Sequence, residues 1–428
     1  TSTRTPSASC RSDPPEAVSS ARRPKWEPGA LRSGRLAVPS ASGAMLVSDL
    51  PTPALLIDRA RLHANLNAMQ ARAEAMGVAL RPHVKTHKSP DLARLQQQRG
   101  ARGLTVATVD EAEAFAAAGF GDIRLATPIV GPTKLERLHA LASGGTRISF
   151  TVDSVEGIAL ASGVFGDGPE VEVLLEVDTG YGRCGVPWDD TEDALALAAR
   201  VGHARGLRLV GLLSHGGDAY AGPQAGETRD DALRRVMDAE RDRVMALAAV
   251  LASGGHLDPA TAELSIGSTP GVTHFTNREA DGFRITEIRP GTYVFHDAGQ
   301  VALGAARLQD CALTCIGTVI SKQRFDGGTE RVITDAGKKI LSSDRRAGAE
   351  TFGTVLYSRQ RMIAHPHAQV TALSEEHGWV DTPGGSIYDV GDPVMLVPNH
   401  ACVAVATRRE LYVVDGDEVD ETWPTVAR

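Results

Sequence analysis

Short β-rich runs alternate with Ala-, Leu- and Glu-rich stretches from Val78 to about residue 290. The stretches between the runs, such as Asp110–Ala118 and Asp230–Leu251, carry helical patterns. Eight β/α units in series predict an α/β chain with a (β/α)8, TIM-type barrel, in which chemistry lies at the C-terminal ends of the strands. The predicted strands are Val78–Val84, Gly103–Thr108, Ile123–Ile129, Arg147–Val152, Val171–Asp178, Leu207–His215, Glu263–Gly267 and Arg284–Arg289.

The pattern changes after about residue 300, where β-like runs follow one another and Gly, Pro and Asp separate them. This succession of short runs and turn residues predicts a mostly antiparallel β domain. The early run Ala54–Ile57, within residues 50–58, is a candidate strand of the same domain. We therefore predict a barrel over residues 45–300 and a β domain over 301–428. The β-domain runs are Ala312–Ile320, Arg331–Asp335, Ala368–Leu373, Pro393–Val397, Val403–Ala406 and Glu410–Val414.

Residues 1–44 differ from the rest of the chain, because Ser, Arg, Pro and Ala dominate them and no apolar periodicity is present. Such a segment cannot bury a core, so we predict a disordered extension. Its Arg- and Ser-rich, acid-poor composition is compatible with an organelle transit peptide, but the favoured interpretation is an upstream extension for which Met45 is the working start. It has no apolar h-region, so a secretory signal is not expected.

Charge and cysteine content narrow the class of protein. The net charge of −8 gives no general basic field for nucleic acid, and no apolar run approaches the ~20 residues of a membrane span. The five cysteines are scattered and odd in number, unlike a disulfide framework. We therefore predict a cytoplasmic protein that binds neither nucleic acid nor a membrane.

Lys85 is the first candidate for chemistry. It stands in the segment Arg81-Pro82-His83-Val84-Lys85-Thr86-His87-Lys88, which ends the first predicted strand and would point the amine into the barrel mouth. Neighbouring cations and desolvation can lower a lysine's pKa and make it a nucleophile. The alternative is a basic surface loop.

Three further segments lie at predicted strand ends. Gly180-Tyr181-Gly182-Arg183-Cys184-Gly185 formally matches GxGxxG, but Pro187 interrupts the expected helix and the strand is the fifth of a barrel, so nicotinamide binding is disfavoured. Its glycines let the backbone pass close to a ligand, and Arg183 suits an anion. The segments Gly267-Ser268-Thr269-Pro270 and Arg289-Pro290-Gly291-Thr292-Tyr293 follow strands seven and eight, the usual phosphate site of such barrels. Either segment alone would be an ordinary turn.

His400 and Cys402 form a candidate metal pair in the β domain. If the segment is a strand, positions i and i+2 share one face, and an imidazole with a thiolate makes half of a zinc-type site. A bare HxC is more often accidental than functional.

Taken together, these segments and Ser214-His215-Gly216-Gly217 resemble the fold-type III pyridoxal-phosphate (PLP) enzymes, in the D-serine dehydratase and D-threonine aldolase branch. The resemblance runs from about Asp49 to the C-terminus. It implies that Lys85 holds PLP as a Schiff base and that His400 and Cys402 bind a divalent metal, zinc or else manganese. It also implies that the remaining cofactor contacts come from Arg183, His215, Tyr220, Ser268, Thr269, Gly291 and Thr292.

The reaction implied by the resemblance is the dehydration of a D-3-hydroxy amino acid to a 2-oxo acid and ammonia. D-Threonine aldolase activity, which gives glycine and an aldehyde, is the alternative, and Cys402 favours dehydration because the aldolases more often carry an Asp there. Two other classes stay open. An amino-acid racemase would need a second acid/base such as Tyr357 or Tyr388, and a non-enzymatic PLP carrier would usually lack the β domain. The resemblance further implies a homodimer.

Overall fold

The computed structural model describes residues 45–325, 327–345, 348 and 350–426. The predicted disorder of residues 1–44 therefore lies outside the described residues. The chain forms one mainly parallel sheet and one mainly antiparallel sheet. In the parts that the structure describes, no helix is long and apolar enough to cross a bilayer.

The parallel sheet is the predicted barrel. Its strands pair in sequence order, apart from a small side strand, Val186–Pro187, and the last strand pairs with the first. An isolated parallel bridge between His83 and Thr105 joins the first strand's continuation to the second, which closes the ring. All eight predicted strands are confirmed, with shorter first and last members. They are Ala79–Leu80, Leu104–Val106, Asp122–Pro128, Arg147–Val152, Val171–Asp178, Leu207–Ser214, Glu263–Ile266 and Glu287–Ile288.

Helices separate the barrel strands, and polar side chains define where most of them begin. Ser89, Thr108, Ser154 and Thr228 each accept a hydrogen bond from a backbone amide two or three residues into the helix that follows. The helices before and within the barrel are Arg59–Ala75, Pro90–Gln97, Val109–Ala117, Pro132–Ser143, Val155–Phe165, Thr191–Gly202, Arg229–Ser253 and the short Thr269–Val272.

The second sheet confirms the predicted β domain and includes the early strand. Ala54–Asp58 lies between Leu313–Arg324, to which it is antiparallel, and Glu410–Asp415, to which it is parallel. The boundary predicted at residue 300 falls inside the helix Ala298–Leu303, and the division into two domains stays a prediction. The remaining strands are Glu330–Thr334, Thr354–Ser358, Ile363–Ala364, Gln369–Leu373, Gly378–Thr382, Pro393–Val397 and Glu418–Pro424, with a short helix at Lys338–Leu341.

One predicted β-domain strand is wrong. Val403–Ala406 belongs to the helix Ala401–Ala406, with His400 at its N-cap. The segment is uniformly apolar, so periodicity cannot separate strand from helix there. Tertiary contacts decide the outcome, because Asp297 Oδ2 accepts from Ala401 N at 2.9 Å and the helix buries Ala401, Ala404 and Val405 on one face.

Candidate active site

A cavity of about 490 Å³ opens at the C-terminal ends of the barrel strands. The turns after strands one, five, six, seven and eight bring their side chains into it. The eight barrel residues predicted for the site therefore meet in one place, while the role of each stays a prediction. They are Lys85, Arg183, His215, Tyr220, Ser268, Thr269, Gly291 and Thr292.

Lys85 lies in a single 3-10 turn, Val84–Thr86, directly after the first barrel strand. The other cations of its segment are neutralised by buried carboxylates: Arg81 Nε is 2.6 Å from Glu287 Oε2, and Lys88 pairs with Glu111. The charges of Arg81 and Lys88 are therefore offset, so these two residues are not the unpaired neighbouring cations that the sequence suggested. Among the described residues no salt bridge involves Lys85. Its side chain lines the cavity, whereas the amine of Lys88 pairs with Glu111.

The cavity is cationic, although its two imidazoles are neutral at pH 7. Burial, followed by the charges of Arg183, Lys85 and Arg289, lowers the pKa of His215 to about 3. Burial and the same three cations also hold the pKa of His83 well below its usual value. The excess positive charge remains on Lys85, Arg183 and Arg289, an environment that suits an anionic ligand.

A buried glutamate links the turns after strands six and seven. Glu240 Oε1 accepts from Ser214 Oγ at 2.7 Å and from Gly267 N at 3.1 Å. Ser268 Oγ donates to Gly216 O at 3.2 Å, which joins the same two turns again. His215 and Ser268 are thereby positioned together.

The turn after strand eight lies directly against the lysine segment. A Cβ at Gly291 would lie 2.7 Å from Thr86 Oγ1 and 2.9 Å from His83 O, so only glycine fits there. Tyr293 N donates to Thr269 Oγ1 at 3.2 Å, which connects this turn to the one after strand seven. Tyr220 and Thr292 also line a second cavity of about 360 Å³ beyond the first.

His400 and Cys402 come together at this wall of the barrel mouth, although they lie at a helix start and not on the strand assumed from the sequence. Cys402 Sγ is 3.1 Å from Thr86 Oγ1 and 3.6 Å from Thr292 Oγ1. Burial would raise the pKa of Cys402, but the hydrogen bond and charge of His400 lower it. His400 itself lines the second cavity.

Sequence reasoning missed several polar residues of the site. The sequence indicates Arg289 only as the first residue of a phosphate-binding segment, yet its side chain lines the cavity and donates from Nη1 to Ser265 Oγ at 2.6 Å. Asp344 faces His400 from a loop whose sequence carries no recognisable signal. His83, Thr86 and Asp153 also line the cavity, and only their nearness to strand ends could have indicated them.

Comparison with known proteins matches both sheets to described families. Residues 57–298 match the family described as alanine racemase, N-terminal domain, and residues 312–414 match the putative serine dehydratase domain. D-threo-3-hydroxyaspartate dehydratase of Delftia sp. (strain HT23) is 35% identical over 387 residues, covering 87% of this chain and 97% of that protein. D-threonine aldolase of Arthrobacter sp. is 34% identical over 381 residues, covering 88% and 92%.

Solved structures agree with these matches. A cysteine-to-alanine mutant of D-threo-3-hydroxyaspartate dehydratase in the metal-free form has a TM-score of 0.80 at 33% identity, covering 90% of this chain and 100% of that one. A histidine-to-alanine mutant of the dehydratase of that name has a TM-score of 0.81 at 33% identity, with 90% and 98% covered. The chain therefore belongs to the fold-type III PLP enzymes of the D-serine dehydratase and D-threonine aldolase family, and it is a PLP-dependent lyase.

Proposed function

We propose that the protein is a metal-dependent ammonia-lyase of the D-serine dehydratase type, which converts a D-3-hydroxy amino acid to a 2-oxo acid and ammonia. The observation that carries this proposal is the contact between Cys402 and Thr86, the residue after Lys85, with Sγ and Oγ1 3.1 Å apart. The amine of Lys85 and the metal pair His400 and Cys402 would therefore act on the same bound substrate. The 35% identity to a dehydratase supports the same reaction.

The cavity fits PLP in charge and in shape. Its excess of cations complements a phosphate and a phenolic oxygen, and the close approach at Gly291 leaves the turn's backbone facing the lysine segment. In this proposal Lys85 Nζ attaches the cofactor, Arg183 and His215 flank its ring, and Tyr220 contacts the cofactor or substrate. Phosphate contacts come from Ser268, Thr269, Gly291 and Thr292.

His400 and Cys402 fit zinc, because zinc prefers imidazole and thiolate ligands, whereas magnesium and calcium prefer oxygen ligands. Manganese is the alternative metal. In the described part of the chain no cluster of three or more His, Cys, Asp or Glu could hold a metal, so the pair would leave positions for water and substrate. The two mutant dehydratase structures alter a histidine and a cysteine two positions apart, which is the spacing of His400 and Cys402.

When bound, PLP supplies an electron sink for the bond broken at Cα, and the metal supplies a Lewis acid for the β-hydroxyl. In this proposal Lys85 Nζ removes the Cα proton. His400 and Cys402 would hold the metal, which would stabilise the charge that develops on the leaving hydroxyl. Loss of the proton and the hydroxide gives an enamine, whose hydrolysis yields the 2-oxo acid and ammonia.

D-Threonine aldolase activity is the second candidate, and the 34% identity to an aldolase is the observation in its favour. The racemase alternative would need Tyr357 or Tyr388 to reach the cavity from a partner subunit, because neither lines the cavity of its own chain and Tyr357 is 64% exposed.

Product analysis separates these candidates. The PLP-loaded enzyme should release ammonia and pyruvate from D-serine, and ammonia and oxaloacetate from D-threo-3-hydroxyaspartate, and a chelator should stop both reactions. Glycine and acetaldehyde from D-threonine, without ammonia, would establish the aldolase instead. Inversion of D-serine without either product would indicate a racemase, and no turnover at all would indicate a PLP carrier.

The homodimer implied by the resemblance is also proposed here. Three exposed apolar side chains of the C-terminal part support it: Tyr357 on a strand, at 64% exposure, and Ile387 and Val390 in the connection before the strand Pro393–Val397, each at 62%. In this arrangement the β domain of one subunit helps to close the barrel mouth of the other. Sedimentation that finds an active monomer at working concentration would refute it.

A further inference from the structure

The loop that follows Ser342 brings a carboxylate to the imidazole of the metal pair. Asp344 Oδ2 lies 2.5 Å from His400 Nδ1. A carboxylate is only an acceptor, so Nδ1 carries a proton and donates it, and Nε2 is the ring nitrogen that a metal would bind in place of a proton. We propose that Asp344 is the positioning residue of the metal site: it fixes the tautomer and direction of His400 so that Nε2 binds the metal beside Cys402. This inference rests on the proposed metal-dependent function.

The backbone of the loop is constrained where it turns toward His400. Ser342 ends the helix Lys338–Leu341 with φ +66° and ψ 167°, a region that residues other than glycine rarely adopt. Ser342 is only 2% exposed, and its Oγ accepts from Asp344 N at 3.2 Å. The strained residue therefore directs Asp344 as well as ending the helix.

The residue before the metal ligand holds the loop from the other side. Asn399 Nδ2 donates to Asp344 O at 2.9 Å and to Thr351 O at 2.7 Å, and Asn399 is 4% exposed. These two acceptors fix the orientation of the amide. The imidazole of His400 and the carboxylate of Asp344 are consequently tied together through backbone as well as through side chains.

These constraints on the loop are not expected for a simple surface ion pair. The side chains of Asp344 and His400 are 47% and 41% exposed, and exposed ion pairs contribute little to stability, about 0–1 kcal/mol. A buried asparagine and a strained serine would not be needed for such a pair. Histidines that bind metals commonly donate their second ring N–H to a carboxylate, and loss of that partner costs about 10- to 100-fold in metal affinity or activity.

The test measures zinc affinity of the PLP-loaded enzyme by competition with a chelator. Asp344→Ala should weaken zinc binding by about 10- to 100-fold. Asp344→Asn keeps an acceptor oxygen without the charge and should weaken it less. Glu350→Gln is the matched control, because Glu350 is an exposed acid of the same region that pairs with Arg345 and contacts neither metal residue. Its zinc affinity should equal that of the unaltered enzyme.

Spectra distinguish positioning from general damage. With Co²⁺ in place of zinc, Asp344→Ala should retain the thiolate-to-metal absorption of Cys402 while the ligand-field bands shift, and the visible band of PLP should be unchanged. Unaltered zinc affinity in both Asp344 variants would overturn the inference while leaving the proposed function standing. Loss of the PLP band in both variants would also overturn it, because the role would then be structural. An unaltered enzyme that binds no zinc or Co²⁺ would overturn the metal's role and the inference together.

Discussion

The barrel holds two clusters of charged residues that use the same residue types in opposite ways. Toward the N-terminal strand ends, Arg81 and Arg124 are 0% exposed and share Glu287, with Nε–Oε2 and Nη1–Oε1 distances of 2.6 and 2.7 Å. Asp122 and Glu263 complete this paired region. Toward the C-terminal ends, the cavity holds the buried Arg289, the half-buried Lys85 and the exposed Arg183, and no salt bridge among the described residues involves any of the three.

The two regions have different roles: the paired charges stabilise the fold, and the charges of the cavity take part in ligand binding. In the paired region burial would raise the pKa of Glu287, but Arg124 and Arg81 lower it to about 2, so every charge has its partner. In the cavity, burial lowers the pKa of Arg289 to about 10, and burial together with the nearby cations keeps His215 neutral. A buried cation without an ion-pair partner, such as Arg289, is costly, and in an enzyme it marks where an anionic ligand completes the pairing.

The largest expected effect comes from Lys85. Lys85→Ala should reduce kcat by at least about 10³-fold, because it removes the proposed cofactor attachment and the base at Cα. The visible band of the attached cofactor should disappear as well. The free energy of unfolding of the PLP-free protein should change little, because Lys85 has no salt-bridge partner among the described residues. Borohydride reduction that labels a different lysine would contradict the assignment.

The second-largest expected effect comes from Cys402, which lies beside the cationic cavity. Burial would raise its pKa, but His400 and Lys85 lower it below the usual value, which favours the thiolate form that binds a metal. Cys402→Ala, or chelation, should reduce lyase turnover by about 10²- to 10³-fold, because the leaving hydroxide loses its stabilisation. The colour of the bound cofactor should remain, and exchange of the substrate Cα proton with solvent should survive. A chelated enzyme that turns over D-serine at the original rate would rule out the metal's role.

The barrel site could be predicted from sequence because its residues lie at strand ends. A parallel strand followed by a turn fixes the side chains of Lys85, His215 and Ser268 at one edge of the sheet, whatever the distant contacts are. The metal site follows no such rule. The helix at Ala401 depends on Asp297, more than 100 residues away, and the imidazole direction depends on Asp344. The sequence therefore indicates the pair of ligands but not its geometry.

A mutation in the paired region should change the free energy of unfolding and leave kcat largely unaltered. Glu287→Gln removes the shared carboxylate of Arg81 and Arg124 and should lower the free energy of unfolding by about 3 kcal/mol, as expected when a buried ion pair loses one partner. Denaturation in urea measures this change. Glu170→Gln is a suitable control, since Glu170 and Arg208 form an exposed pair whose loss should cost less than about 1 kcal/mol. A Glu287→Gln enzyme of full stability but low kcat would reverse the assignment of the two regions.

The smallest expected effect is the pH dependence that distinguishes the two regions. His215 has a pKa of about 3 in the folded protein and 6.5 when unperturbed, so between these values the unfolded chain binds more protons. The free energy of unfolding must then fall as the pH is lowered below 6.5, and His215 should account for about 2 kcal/mol between pH 7 and pH 5. Glu287 has a folded pKa of about 2 against 4.5, so its contribution is complete above pH 4.5 and is lost only below it.

Urea denaturation of the PLP-free protein at pH 7 and pH 5 isolates this contribution. Other buried histidines titrate in the same window: burial lowers the pKa of His87 to about 3 and that of His296 to about 4. The quantity to compare is therefore the change between the two pH values in the unaltered protein and in His215→Gln. The variant should lose about 2 kcal/mol less over this range, because glutamine does not titrate. Equal losses in the two proteins would mean that the cavity charges do not hold His215 neutral, and the contrast between the two regions would then rest on ion pairing alone.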